Sequence, residues 1–501
     1  MSMVFDSAED RTRTYGGWRL SRGIGILGAG PGGSVVLLGG WSALILMGGI
    51  AMRWYLYLGP VVAALSAAIL VRWDNETLAT RTTRRLRWWW ANVSRFTEFS
   101  PAAMLDYTGA TELPGLLAAP RLLDVQDGWG HRFGLIHDPR CGYLSATWRC
   151  DARSTALVDR EQADRWVSSW GSWLADLGML NMVRHVAVTV ETAPEPGSTL
   201  AQAVTGRIDP DAPLDAQTLL IELLERSPRA AADVDTRVSV VFDPTAGPVP
   251  LRQLEDQVGE VSRLLGSMES SLADCGVGVL GRCSATELAG IVTTAFSPER
   301  RGEVNQLLAA KDPAQAERTL RWETAAPTSA EELWESYRHN DAWSVSYGMA
   351  EAPRQAVTNN VLSRLLAPGK FARRVTILYR AYSAAEAAAK LEEQVNAAIF
   401  RQGIRRKQGI DEKARDLADR ERATQAAREE AHGAGVVRMS IYATTTVEDE
   451  TDLLGACADL EARAQQCKIR LKKLVGAQAA GFVVTLPAGV HPVQMALRSR
   501  R

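Results

Sequence analysis

From Gly23 to Met52 the chain carries no ionisable residue, and after the single Arg53 a second uncharged run, residues 54–71, follows at once. A helix that crosses a hydrocarbon core of about 30 Å needs roughly 20 apolar residues. Residues 34–52 and 54–71 have about that length, so the run predicts two membrane spans joined by a tight turn, with residues 23–33 free to extend the first. A buried hairpin of a soluble core can imitate such a length, and a signal peptide also offers an apolar stretch. The flanks argue against both. Arg11, Arg13, Arg19 and Arg22 precede the hairpin and Arg72, Arg81, Arg84, Arg85 and Arg87 follow it, while the turn holds only Arg53. This asymmetry places both ends on the cytoplasmic side. The apolar region is too long for a signal peptide, and the second span would act as a stop, so no cleavage and no translocated domain are expected.

Aromatic residues that favour the membrane boundary gather at the ends of the runs. Trp54, Tyr55 and Tyr57 stand near the turn, and Trp73 and the series Trp88, Trp89, Trp90 lie beyond the exit. With Arg84, Arg85 and Arg87 they form the candidate membrane-interface residues. Inside the hairpin, Gly39, Gly40, Ser42, Gly48 and Gly49 face a second run containing Ala63, Ala64, Ser66, Ala67 and Ala68. Small residues let two backbones approach where packing must drive association.

Gly28-Ala29-Gly30-Pro31-Gly32-Gly33 satisfies the spacing of a dinucleotide fingerprint, but the helix that follows is apolar and the first acid after Gly33 is Asp74. The fingerprint needs a preceding strand and an acid about 20 residues on, so it is rejected. No phosphate loop is present, since Gly369-Lys370 is followed by Phe371, and the six histidines are scattered. No catalytic, cofactor-binding or metal-binding residue is predicted, and the chain reads as non-enzymatic.

Over the whole chain, a 46% hydrophobic, 23% charged composition is that of an ordinary globular protein, and a net charge of −1 excludes a globally basic nucleic-acid binder. The six cysteines form no C-x-x-C pair and read as reduced core residues. Residues 1–22 form a polar arm, 23–72 the hairpin and 73–115 a basic, aromatic linker. Residues 116–283 alternate strands (142–150, 183–190, 237–242, 277–280) with helices (157–177, 214–226, 251–272), a first α/β unit. Residues 284–340 read as a polar helical connector. A second unit, 341–488, has strands at 343–349, 373–382, 436–446 and 481–486, with helices at 357–366 and 448–475. Within it 383–431 predicts a projecting helical hairpin, started by a Ser383/Glu386 capping box; a solvated helix pair and a partner-binding arm are equally open readings. Residues 489–501 form a basic tail. The expected fold is a membrane-anchored α+β protein with two ferredoxin-like units.

Residues 14–25 (TYGGWRLSRGIG), the tight hairpin, residues 341–354 (DAWSVSYGMAEAPR) and the run 426–473, containing Met439-Ser440-Ile441-Tyr442-Ala443, resemble actinobacterial PrgI-like proteins of type IV secretion and conjugation loci. The resemblance implies a two-span inner-membrane hairpin fused to a region similar to the non-ATPase amino-terminal domain of the conjugation ATPase. It further implies a platform subunit whose partners are the cytoplasmic membrane, a separate type IV secretion ATPase, other channel subunits and further copies of itself. Residues 341–354 would be a structural or docking element. Two other readings stay open: a membrane component of an actinobacterial type VII secretion system, and a membrane-tethered single-stranded DNA binder that uses residues 84–90, with any DNA contact non-specific.

Overall fold

A computed structural model of the chain describes residues 30–50, 52–73, 76–100, 113–152, 158–194, 208–209, 211–226, 232–247, 251–310, 312–353, 355, 357–393, 396 and 435–492. The chain divides into two compact bodies, Trp18–Glu98 with Glu393–Ala423, and the remainder. The expected polar arm 1–22, most of the helical arm 383–431 and most of the basic tail lie outside the described residues.

The first body contains α1 (Gly30–Ile50), α2 (Arg53–Leu70), a two-residue ladder of Arg72–Trp73 against Glu76–Thr77, and α3 (Leu78–Val93). α1 starts inside the glycine motif. Leu37 and Leu44 of α1 and Val62 and Ser66 of α2 are buried. Gly40 faces Val62, where a Cβ would make an ordinary contact of 3.6 Å with Val62 Cγ1, and Trp41 Nε1 donates to Ser66 Oγ at 3.2 Å.

The second body is α+β and is built on one large antiparallel sheet. Its elements are β1 (Arg121–Gln126), β2 (Arg132–Asp138), β3 (Tyr143–Ala152), α4 (Arg160–Met179), β4 (Val183–Pro194), α5 (Leu214–Arg226), β5 (Ala232–Phe242), α6 (Leu254–Ala273), β6 (Val277–Arg282), α7 (Ala285–Phe296), α8 (Arg301–Ala309), α9 (Pro313–Thr319), β7 (Ala330–Glu332), β8 (Tyr337–His339), β9 (Ala342–Glu351), α10 (Ser363–Leu366), β10 (Ala372–Ala381), β11 (Val437–Val447), α11 (Leu453–Gln466), β12 (Arg470–Lys473) and α12 (Gln478–Val484). The strands run β7-β8-β9-β11-β10-β4-β5-β3-β2-β1, with β12 beside β9 and β6 beside β3.

Within that order a pattern occurs twice. β3-α4-β4-β5-α6-β6 has the spatial order β4-β5-β3-β6, and β9-α10-β10-β11-α11-β12 has the order β10-β11-β9-β12. Each succession is β-α-β-β-α-β with strands in the spatial order second, third, first, fourth, and each is followed by a helix, α7 or α12. The second strands of the two halves, β4 and β10, pair antiparallel over 186–192 with 373–379. Thr189 and Thr376 stand opposite each other at the middle of this ladder, with their hydroxyls 2.8 Å apart. A local two-fold axis therefore passes between them.

Counting along the ladders from this axis exposes a repeat at residue level. Ala187 pairs with Ser239 and Ser239 with Thr147; in the other half Arg374 pairs with Thr444 and Thr444 with Ser346. Both equivalent hydroxyl pairs are hydrogen-bonded, Thr147 to Ser239 at 2.8 Å and Ser346 to Thr444 at 3.0 Å. The next positions, Trp148 and Tyr347, are large, fully buried side chains in equivalent places. Period-two alternation puts these aromatics on the opposite face from the hydroxyls. Trp148, Leu144 and Ala146 pack with Trp173 and Leu174 of α4 and Leu265 and Met268 of α6, and Tyr347, Val375 and Ile441 pack with Cys457 and Leu460 of α11. The second face carries the hydroxyls and is covered by α7 and α12, whose Phe296 and Phe482 rings lie 5.1 Å apart.

Several expectations are corrected. Residues 481–486 are not a final strand: 481–484 belong to α12 and 485–486 to the turn after it, because a short apolar run buried on all sides has no periodicity to separate helix from strand. The single helix expected over 448–475 ends at Gln466, where Lys468 takes φ +59, and the chain returns as β12. The helix expected at 357–366 contracts to α10. The connector 284–340 is not polar throughout: α7 is buried from Leu288 to Phe296 and lies in the core, and it is followed by β7 and β8. β1 and β2 were not anticipated. At the base of the expected arm residues 384–393 are helical, and Glu386 N donates to Ser383 Oγ at 3.4 Å, one half of the expected capping box, while the Glu386 carboxylate lies 3.7 Å from Arg380 Nη2. All six cysteines are free, and burial raises the thiols of Cys150 and Cys275 to about 11 and that of Cys283 to about 12.

Candidate functional site

Two regions carry features beyond what the fold needs. The first is the apolar surface of α1, α2 and α3. Outside the narrow stripe where α1 meets α2, large apolar side chains point outward all round: Val35, Leu38, Ile45 and Leu46 on α1, and Leu56, Tyr57, Val61 and Leu65 on α2, with Leu46 at 70% and Leu56 at 77% exposure. Among the described residues, Arg53–Leu70 is the one helix long and apolar enough to cross a membrane; the apolar stretch of α1, Gly33–Met47, is shorter. Of the two helices expected as spans, one has the length and composition for it. Trp54 and Tyr55 occupy the first turn of α2 and are exposed, and Trp73 lies in the short ladder after it.

α3 is N-capped by Thr77, whose Oγ1 accepts from Thr80 N at 3.3 Å. At about 100° per residue, Leu86, Trp89, Trp90 and Val93 share one side of it, and Arg81, Arg84, Arg87 and Trp88 share the other. No residue of α3 is buried, and Trp89 and Trp90 are 59% and 61% exposed. Arg85 falls between the two sides, four residues before Trp89, Arg87 lies three residues before Trp90, and Trp88 lies among the arginines, so charges and rings remain neighbours along the helix. An amphipathic helix with arginine opposite an aromatic face is suited to lie in a membrane interface.

The second region is the hydroxyl-bearing face of the sheet. Around the axis threonines the buried carboxylate of Glu191 accepts from Arg237 Nη1 at 2.7 Å through one oxygen and from Arg301 Nη2 through the other. Arg374 stands directly opposite Glu191 in the ladder. Burial alone would raise the Glu191 carboxyl, but Arg301, Arg237 and Arg374 outweigh it and hold it well below the usual carboxylate range. Arg374 is itself buried; its Cζ lies 4.7 Å from the centre of the Phe482 ring and its Nε donates weakly to Thr485 Oγ1 at 3.4 Å. Burial and the neighbouring arginines bring its pKa down to about 10. Nearby, His339 is bonded through Nδ1 to the Phe296 carbonyl at 2.7 Å and through Nε2 to Ser344 Oγ at 2.8 Å, and Ser344 meets Thr446 at 2.8 Å.

No protein-family model matches the chain, and no curated protein matches it.

At the far end of the same face, Ser145, Val241 and His185 lie in one row across β3, β5 and β4. Gly489, at φ +69, crosses above them, where a Cβ would come 3.0 Å from Ser145 Cβ. The His185 and His491 rings meet edge to face, 5.0 Å between centres, and burial lowers both, His491 to about 4. Neither polar cluster was foreseen in the sequence, where the histidines are scattered and the charges sit inside apolar runs. The adjacent pair Arg373-Arg374 at the head of such a run is the one signal that could have been read, because neighbours in a strand point to opposite faces and one of the two had to enter the second layer. No group of three or more His, Cys, Asp or Glu suited to a metal occurs among the described residues.

Residues 341–354, a candidate docking element, supply β9. Ser344, Val345, Ser346 and Tyr347 are buried in it, so the stretch serves the core of the second repeat. Residues 439–443 lie in β11, which pairs with β9 and β10.

Proposed function

We propose that the protein is a non-enzymatic, membrane-anchored platform subunit, with α1 and α2 spanning the cytoplasmic membrane and both termini on the cytoplasmic side. The observation that carries this reading is the unbroken apolar girth of α1 and α2. A helix apolar all round belongs either in a protein core or in lipid, and these two bury one stripe each. α3 then lies along the interface, its arginines among anionic headgroups and its Leu86, Trp89, Trp90 and Val93 face in the acyl boundary. The basic flanks and the uncharged runs support the same topology.

The assignment to a type IV secretion or conjugative transfer system, in which the large sheet domain docks a separate hexameric ATPase, is supported by the resemblance of residues 14–25, 341–354 and 426–473 to PrgI-like proteins. Its test is co-purification of the tagged full-length chain from native membranes in mild detergent. Recovery of a Walker-motif conjugation ATPase with other channel subunits is the expected result. Recovery of type VII components instead, or of nucleic acid without a protein partner, overturns it in favour of the corresponding alternative.

A further inference from the structure

The charges around the local two-fold axis do not balance. Three guanidiniums, those of Arg237, Arg301 and Arg374, converge on the second face of the sheet. Against them stand Glu191, whose two oxygens are both taken by Arg237 and Arg301, and Asp235, which meets Arg237 Nη2 at 2.9 Å from a half-exposed position. Arg374 is left with a weak bond to Thr485, one ring face of Phe482, and an Nη2 that has no partner although the residue is 95% buried. Leaving an ionised group buried without a counter-charge is costly. Arginine cannot escape that cost by losing its proton near neutral pH.

We infer that Arg374, with Arg237 and Arg301 behind it, binds a compact monoanion of the halide class. One positive charge is unmatched, which suits a single negative charge better than phosphate. Burial under α7 and α12 suits a small ion, held beside the Phe482 ring and the Thr485 hydroxyl that already meet the guanidinium. The anion joins the two repeats, because Arg374 comes from the second and Arg237 and Glu191 from the first.

The test is thermal unfolding of the detergent-solubilised full-length protein as sodium chloride replaces sodium gluconate at constant ionic strength. The midpoint is expected to rise with chloride by about 2 °C per tenfold once the site begins to fill, and the dependence is expected to vanish in Arg374→Gln. Midpoints that are the same in chloride and gluconate overturn the inference, as does a chloride dependence that survives in Arg374→Gln. Should that variant fail to fold, anomalous diffraction from crystals of the unaltered protein grown in bromide decides: a peak within hydrogen-bonding distance of Arg374 supports the site, and its absence overturns it.

Discussion

Glu191 is 4% exposed and carries a full charge, a combination that survives only because two arginines occupy both its oxygens. Removing one partner of a buried ion pair commonly costs about 3–5 kcal/mol, because the others are left uncompensated. Glu191→Gln is therefore expected to lower the urea midpoint by that order of stability, while a change at the exposed Arg263–Glu260 pair is expected to leave it nearly unmoved. The buried histidines set the acid limit. Burial lowers His339 and His491 to about 4 and His185 well below its ordinary value. The unfolded chain takes up protons near pH 6.5 that the folded chain refuses, so stability is full above that value and falls as pH drops toward about 4. Unfolding titrations between pH 7.5 and 4.5 should show this loss, and His339→Gln should flatten it. None of these groups was legible as a site in the sequence. What tells Arg374 from a surface arginine is the layer laid over its strand, and that layer, α7 and α12, comes from segments remote in the chain.

Most strands and helices with a clear period were legible. α5 falls where the sequence placed it, and β3, β4, β9, β10 and β11 within a few residues. The misreadings follow a physical rule. α12 and α7 are buried on nearly every side, so they show neither the period of a surface helix nor that of a half-buried strand. α12 also depends on close approach: a Cβ at Gly481 would lie 2.5 Å from Ser346 Cβ. Gly481→Ala is expected to destabilise by about 1–3 kcal/mol through overpacking. Gly259, inside α6 with nothing within 4 Å of its Cβ position, provides the opposite case. There alanine is expected to stabilise by about 0.5–1 kcal/mol, because the unfolded chain loses freedom. Chemical denaturation of the two variants checks both signs.

At the scale of the whole molecule, the sheet domain is two copies of one β-α-β-β-α-β plan with a following helix, paired edge to edge through β4 and β10. The alternation of strands and helices suggested two such units, but the residue-level repeat was hidden. Ser145-Ala146-Thr147-Trp148 and Ser344-Val345-Ser346-Tyr347 share a pattern of hydroxyl and bulk rather than identity, and only the ladder registers align them. Both halves carry their longest connection between the second and third strands, with α5 in the first and the segment beginning at 384–393 in the second. The central proposal is that α1 and α2 cross the membrane and carry Arg53 to its outer face. The most direct test is labelling of Arg53→Cys in intact cells with a membrane-impermeant maleimide. Of the native cysteines only Cys141 is not buried, and it should react only after permeabilisation. Labelling at position 53 from outside, with Cys141 protected, is the predicted result. A position 53 that reacts only after permeabilisation, or a protein that alkaline carbonate strips from the membrane fraction, would contradict the account.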